Sequence, residues 1–296
     1  MWTLITGAGS GIGRSLALEL ARKGHDLILA GRTAVKLDEV AETIRQDVPE
    51  RKVRTFTVEL ADTASTQKLA MQVCESADRL AAFVYCAGAG EPAADLASLQ
   101  LSDFQEALAV NVSAPLLLTQ SLLPVLCESG KASRIVMVGA GIDKHAQPGT
   151  GSYGISKMAM RRLVQQLSVE FGAMEAGPIV SLFQPGLVDT PGIRDHVSKA
   201  CALNLPHGPW LKDRLDSGRS LTAEQAATAI WHADHLVGAG GRDDLDGRHL
   251  KVPEKIPSGR RTGKEDGFFI GIAQHITLPI QIEPGHVVSS FHRNKL

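Results

Sequence analysis

Aromatic residues are scarce in this chain of 296 residues, at 4 % of the total. The core must therefore be built from Ala, Val, Leu and Ile, and a hydrophobic content of 44 % supplies enough of them. Net charge is nearly absent as well. Lys and Arg number 31 against 32 Asp and Glu, a balance of −1, which lacks the basic footprint of a nucleic-acid binder. Cysteine is limited to Cys74, Cys86, Cys127 and Cys201, with no CxxC pair and no His beside them at ligand spacing. That pattern excludes a disulfide framework and offers no metal site. No apolar run approaches the roughly 18 residues of a membrane span. The opening Met1-Trp2-Thr3-Leu4-Ile5-Thr6 looks like a strand, not a secretory leader. The expectation is a soluble cytoplasmic protein that engages neither nucleic acid nor membrane.

What the chain has is short apolar runs alternating with longer segments of helical spacing. The runs are Trp2–Thr6, Asp26–Ala30, Val53–Val58, Ala81–Cys86, Arg134–Val138 and Ile179–Phe183. Segments such as Ile12-Leu16-Leu20 and Val35-Val40-Ile44 lie between them. Strands alternating with helices predict βαβ units and a parallel sheet covered on both faces. The pattern fades after Phe183. Residues 190–220, with Pro191, Pro206 and Pro209, read as a mobile, partly helical lid. A helix resumes near Thr222, which can cap its first turn. Arg248–Val252 is a last strand candidate, and residues 253–296, with the apolar stretch Phe268–Ile282, form a tail expected to pack on the body or a second subunit.

Glycine is abundant, at 29 residues, and its placement carries the first chemical signal. Thr6-Gly7-Ala8-Gly9-Ser10-Gly11-Ile12-Gly13 stands between the first strand and the first helix. Glycines there let the backbone turn tightly and approach a pyrophosphate, whose charge the helix N-terminus meets. The second strand ends in Ala30-Gly31-Arg32, where an NAD-binding protein would carry a carboxylate for the ribose hydroxyl. A guanidinium suits a 2′-phosphate instead, which favours NADP(H). The plainer reading leaves Arg32 in solvent. A second signal is Tyr153-Gly154-Ile155-Ser156-Lys157 at the start of a long helix. Residues four apart share a helix face, so the ammonium can lower the phenol's pKa and make it a proton donor.

Together these motifs resemble the short-chain dehydrogenase/reductase family, over about residues 2–252. Asn111 in Asn111-Val112-Ser113-Ala114 matches the family's helix Asn, which holds a relay water. Pro185-Gly186-Leu187-Val188-Asp189-Thr190 matches its nicotinamide-side motif, and Ala87-Gly88 after Cys86 its fourth-strand motif. Glu59-Leu60 stands where the family contacts the adenine. The resemblance implies one Rossmann-type α/β domain with a doubly wound parallel sheet of about seven strands. It also implies a homo-oligomer pairing through helices near 101–129 and 152–174. The catalytic residues would be Tyr153, Lys157 and Asn111. The cofactor would lie against Gly7, Gly9, Ser10, Gly11, Ile12, Gly13, Arg32, Glu59, Leu60, Cys86, Ala87, Gly88, Tyr153, Lys157, Pro185, Gly186, Val188 and Thr190.

Two departures stand out. The family's Ser that holds the substrate carbonyl falls on Ala140, flanked by Gly139 and Gly141, and Tyr85-Cys86 replaces its Asn pair. Asp143, His145, Thr150 and Ser152 are candidate substitutes in the following loop. His145 and His207 otherwise read as solvated, as do Arg14 and the cluster Arg260-Arg261 with Lys264, and Trp210 either lines the pocket or packs the lid. The leading expectation is an NADP(H)-dependent oxidoreductase interconverting a carbonyl and an alcohol on a small or medium organic substrate. Ala140 keeps open a weakly active or non-catalytic cofactor-binding sensor, and the scaffold also admits a lyase or isomerase.

Overall fold

The computed structural model describes residues 1–129 and 133–239. Six parallel strands form the main sheet: β1 (Trp2–Thr6), β2 (Asp26–Gly31), β3 (Val53–Thr57), β4 (Leu80–Tyr85), β5 (Arg134–Val138) and β6 (Ile179–Phe183). Their order is β3-β2-β1-β4-β5-β6. All six stand within a residue or two of the expected apolar runs. The seventh strand candidate and the tail lie outside the described residues, so six of the expected strands are seen.

The helices are α1 (Gly11–Arg22), α2 (Ala34–Asp47), α3 (Thr63–Ser76), α4 (Leu101–Leu108), α5 (Ala114–Cys127), α6 (Gly151–Gly172), α7 (Pro191–Ala202), α8 (His207–Asp216) and α9 (Ala223–Ala239). The inner strands are largely apolar because both faces are covered, whereas the edge strand β3 is Val-Arg-Thr-Phe-Thr and only partly buried. Leu4, Ile28, Phe83 and Tyr85 join a core layer with residues of α3, α5 and α6. Their alternates Ile5, Leu27, Leu29 and Val84 join a second layer with α1, α2 and α9. A doubly wound sheet in this order reverses direction between β1 and β4, and the crevice beyond the strand ends there is where such folds hold ligands.

α4 and α5 are joined through a π-turn at Ala109–Ser113 into one helix, Leu101–Cys127, which contains an 18-residue stretch of mean hydropathy 1.5. By length and composition it could cross a membrane, which the search for long apolar runs did not anticipate. Leu118, Leu122 and Leu126 are nonetheless fully buried, and the helix packs against α3 and β4 as a core helix does.

Residues 190–220 are more regular than expected. Two helices, α7 and α8, pack on each other, and a short pair of strands, β7 (Val188–Asp189) and β8 (Leu221–Thr222), closes the segment at its base. Thr190 caps α7 by accepting from the Ile193 amide at 3.3 Å, with Pro191 at the first helical position. Thr222 starts α9 as expected: its Oγ1 accepts from Gln225 N at 3.2 Å while Gln225 Oε1 accepts from Thr222 N at 2.9 Å. That is a reciprocal capping box.

Candidate active site

The glycine turn joins β1 to α1 at the crevice. Gly7 and Gly11 hold left-handed φ values of +68° and +51°. A Cβ on Gly7 would stand 2.9 Å from Ala87 N, and one on Gly13 only 2.3 Å from Gly7 O. The turn is therefore backbone packed on backbone, and it lies directly against the Cys86-Ala87 segment after β4. Gly11 faces Thr190, whose Cγ2 lies 3.1 Å from where a Cβ would be. Ser10 precedes α1 and makes no side-chain cap, so the first N–H groups of the helix are left to an anion. A slender pyrophosphate-bearing group fits this surface, and a turn with side chains would fill it. Arg32 is exposed just past β2, without an ion pair among the described residues. Beyond β3, Glu59 is exposed and Leu60 buried. Pro185 is buried after β6, and Gly186, at φ +77°, has open space where a side chain would be.

On the other side of the crevice the first two turns of α6 present Tyr153 and Lys157. Asn111 sits inside the π-turn, a distortion that re-aims a side chain. Its Nδ2 donates to Ala89 O at 2.6 Å and to Ser156 Oγ at 2.8 Å, and its Oδ1 accepts from Ala89 N at 3.1 Å. Ser156 Oγ in turn donates to Tyr153 O at 3.0 Å. Asn111 thus clamps the loop after β4 to the helix that carries the phenol. A Cβ on Gly88 would lie 3.4 Å from both Asn111 Oδ1 and Lys157 Nζ, and one on Gly90 would strike the Tyr153 ring at 2.5 Å. The three expected catalytic residues therefore converge, with Gly88 and Gly90 making room for them.

The electrostatics differ from the expectation. Lys157 Nζ donates to Val138 O at 3.0 Å and stands 5.7 Å from the centre of the Tyr153 ring. Burial, with the Asp143 carboxylate adding to it, pushes the phenol up to about 12 instead of down. Lys157 is lowered to about 8 by burial, which Cys86 and Asp143 partly oppose. Burial raises the Cys86 thiol to about 12. The loss of water around the phenol outweighs a neighbouring ammonium that is turned toward a carbonyl.

Sequence reasoning missed several contacts. Tyr85, in place of an amide, is fully buried and its hydroxyl donates to Val110 O, beside Asn111, bracing the site from behind. At Ala140 the turn is held by Gln184, whose Nε2 donates to Ala140 O at 3.2 Å and to Asp143 Oδ2 at 2.8 Å. Asp143 also receives Arg161 Nε at 2.8 Å, so it is an ion-paired acceptor and not the substitute donor considered from sequence. The pair Arg161-Arg162, about two turns along α6 from Tyr153, was the available signal. His207 is a further correction: it is buried, stacked on His196 at 15° between planes, and lowered by burial and that neighbour. His196 Nδ1 pairs with Glu91 Oε1 at 2.8 Å, tying α7 to the loop after β4. His145 and Arg14 are exposed, Thr150 and Ser152 are buried, and Trp210 is half exposed beneath the Arg214 guanidinium.

Comparison with known proteins places this arrangement. A family model described as short chain dehydrogenase matches residues 1–200. Sulfoacetaldehyde reductase 2 of Chromohalobacter salexigens is 32 % identical over 190 residues, covering 63 % of this chain and 72 % of that protein. A short chain dehydrogenase of Monascus purpureus is 32 % identical over 268 residues, covering 84 % and 86 %. The crystal structure of a short chain dehydrogenase from Burkholderia cenocepacia in complex with NADP superposes with a TM-score of 0.66 at 25 % identity, covering 78 % and 89 %. The chain belongs to the short-chain dehydrogenase family and is an oxidoreductase.

Proposed function

We propose that the protein is an NADP(H)-dependent reductase of a small or medium organic carbonyl, working also in the reverse direction on the alcohol. The observation that carries this reading is the convergence of Tyr153, Lys157 and Asn111 beside a glycine turn that fits a pyrophosphate. When bound, the nicotinamide supplies the hydride. Its phosphates would lie on the Gly7–Gly13 turn with Ser10 and Ile12, its adenine end near Arg32, Glu59 and Leu60. Its nicotinamide end would lie between Cys86-Ala87-Gly88 and Pro185-Gly186, with Val188 and Thr190 behind.

Tyr153 is the proton donor to the carbonyl oxygen. Lys157 holds the nicotinamide ribose and stabilises the phenolate left after transfer. Asn111 fixes the geometry of both and orders the relay water. With Ala140 in place of a hydroxyl, the phenol carries the oxygen with less help, and the absence of one such donor costs roughly 10²–10³ in rate. Arg32 favours the 2′-phosphate through a charge-assisted bond, and the NADP-bound relative supports that choice.

The test is consumption of NADPH against a panel of ketones, aldehydes and quinones. Wild type is expected to turn over at least one, Tyr153→Phe to lose roughly 10²-fold or more in kcat, and NADPH affinity to stay nearly unchanged. Arg32→Ala should remove most of an approximately tenfold preference for NADPH over NADH. Ala140 favours one second reading, a cofactor-binding protein without turnover. It would be chosen if NADPH binds but no carbonyl is consumed above the Tyr153→Phe background.

A further inference from the structure

Pro115 removes one N–H from the long helix Leu101–Cys127, and the backbone just before it departs from α-helical pairing. In an unbroken α-helix the Ala114 N–H would meet Val110 O, four residues back. At the end of the π-turn Ala109–Ser113 it meets Ala109 O instead. The next N–H in that five-residue register would come from residue 115, which is proline and has none. Neither the α nor the π register therefore offers Val110 O a main-chain donor, and Val110 is buried. A carbonyl in that position needs a partner from elsewhere in the fold. Tyr85, the last residue of β4, supplies it: its hydroxyl donates to Val110 O. Tyr85 is fully buried, its ring stands edge-on to Phe83 with centroids 6.1 Å apart, and burial raises the phenol so that it keeps its proton.

The peptide group that Tyr85 holds is the one joining Val110 to Asn111. Asn111 is itself fully buried and engages two elements at once. Its Nδ2 donates to Ala89 O at 2.6 Å and to Ser156 Oγ at 2.8 Å, and its Oδ1 accepts from Ala89 N at 3.1 Å. All three bonds require the side chain to leave the helix in one direction, and the π-turn sets that direction. Relaxing the turn to α pairing would rotate the residues on one side of it against those on the other by about 100°, the step of one residue. We propose that Tyr85 is a positioning residue acting through Asn111. Its hydroxyl takes the carbonyl that Pro115 and the π-turn leave unpaired, and so fixes the direction in which Asn111 reaches the loop after β4 and the helix of Tyr153. The consequence for turnover rests on the reductase reading above.

The asparagines of the chain are Asn111, Asn204 and Asn294, few enough for a direct reading. The full-length protein labelled with ¹⁵N at the asparagine side-chain amide gives one NMR signal pair for each, and Asn204→Gly with Asn294→Ser leaves the pair of Asn111. Tyr85→Phe keeps the ring against Phe83 and removes only the hydroxyl. In the folded variant the Asn111 amide signals should shift, and their hydrogens should exchange with solvent at least about tenfold faster. With NADPH and a reducible carbonyl, kcat should fall about tenfold at nearly unchanged KM. 4-Aminophenylalanine at position 85 restores an N–H donor and should return both readings toward wild type. A hydroxyl that merely holds the core would lower stability on removal without moving the Asn111 signals or their exchange, and that outcome would overturn the proposal. Should Tyr85→Phe fail to fold, the 4-aminophenylalanine variant decides. A folded protein with Asn111 exchange as in wild type supports the donor role, and failure of both to fold overturns it. The NMR reading needs no substrate, so a protein that reduces no carbonyl would sink the reductase reading while the Asn111 exchange still decides the role of Tyr85.

Discussion

The two sides of the crevice are built from different materials. The glycine-turn side is backbone against backbone: Gly7 on Ala87 and Gly13 on Gly7 O, at separations no Cβ could enter. The Tyr153 side is built of buried polar side chains: Asn111 donates to Ser156, Lys157 donates to Val138 O, and Asp143 receives Arg161 and Gln184. The difference concerns tolerance. A backbone surface admits one residue type at each close approach, whereas a side-chain network can be rewired, as Ala140, Tyr85 and Gln184 illustrate here.

Substitution on the backbone side should give the larger effect. Gly13→Ala forces its Cβ to within 2.3 Å of a main-chain oxygen. A main-chain group cannot rotate away as a side chain can, so the turn must move. The expected loss is at least about 3 kcal/mol of stability, beyond the usual cost of overpacking, together with loss of NADPH binding. Urea denaturation and cofactor titration would check it, and a folded variant with unchanged affinity would break the comparison.

On the side-chain side, Lys157 gives an intermediate, pH-dependent effect. Burial lowers it to about 8, so the folded state resists holding its proton. Between that value and its unfolded value near about 10.4 the unfolded chain binds more protons, and stability rises with pH. The cost is thus present in full below pH about 8 and relieved toward about 10.4. Lys157→Met should stabilise the protein at neutral pH by on the order of 2–3 kcal/mol, shrinking toward pH about 10. A stability difference that does not change with pH would show that the ammonium carries no such desolvation cost.

The smallest effect belongs to the rim. Thr222→Ala removes one half of the capping box at the start of α9 and should cost about 1 kcal/mol. Thermal unfolding would register it as roughly 2 °C, with no change in cofactor affinity. A larger loss would mean that the start of α9 also holds the lid in place.

Much of the fold was legible because its signals are local. The six strands followed from apolar runs that two covered faces require, and the glycine turn followed from conformations and close approaches that only glycine meets. Helical spacing puts Tyr153 and Lys157 on one face, and the family resemblance singles that pair out. Residues 190–220, expected to be partly helical, hold two helices, and Pro191 sits at the first position of α7, where proline is accommodated. The brace around Ala140 was illegible for another reason. Gln184 and Asp143 are 41 residues apart and Arg161 and Asp143 18 apart, so no local pattern links them.

The sequence by itself determined the alternation of strands and helices, the glycine turn, and the pairing of a phenol with an ammonium on one helix face. Each depends on neighbours along the chain, through backbone conformation or helical period. Tertiary structure alone decided the direction in which that phenol is perturbed, and which side chains hold the turn that follows position 140. Both depend on how much water is excluded and which distant charges are brought within reach. Those quantities exist only once the sheet, the turn at 141–144 and the helix of Tyr153 have packed together.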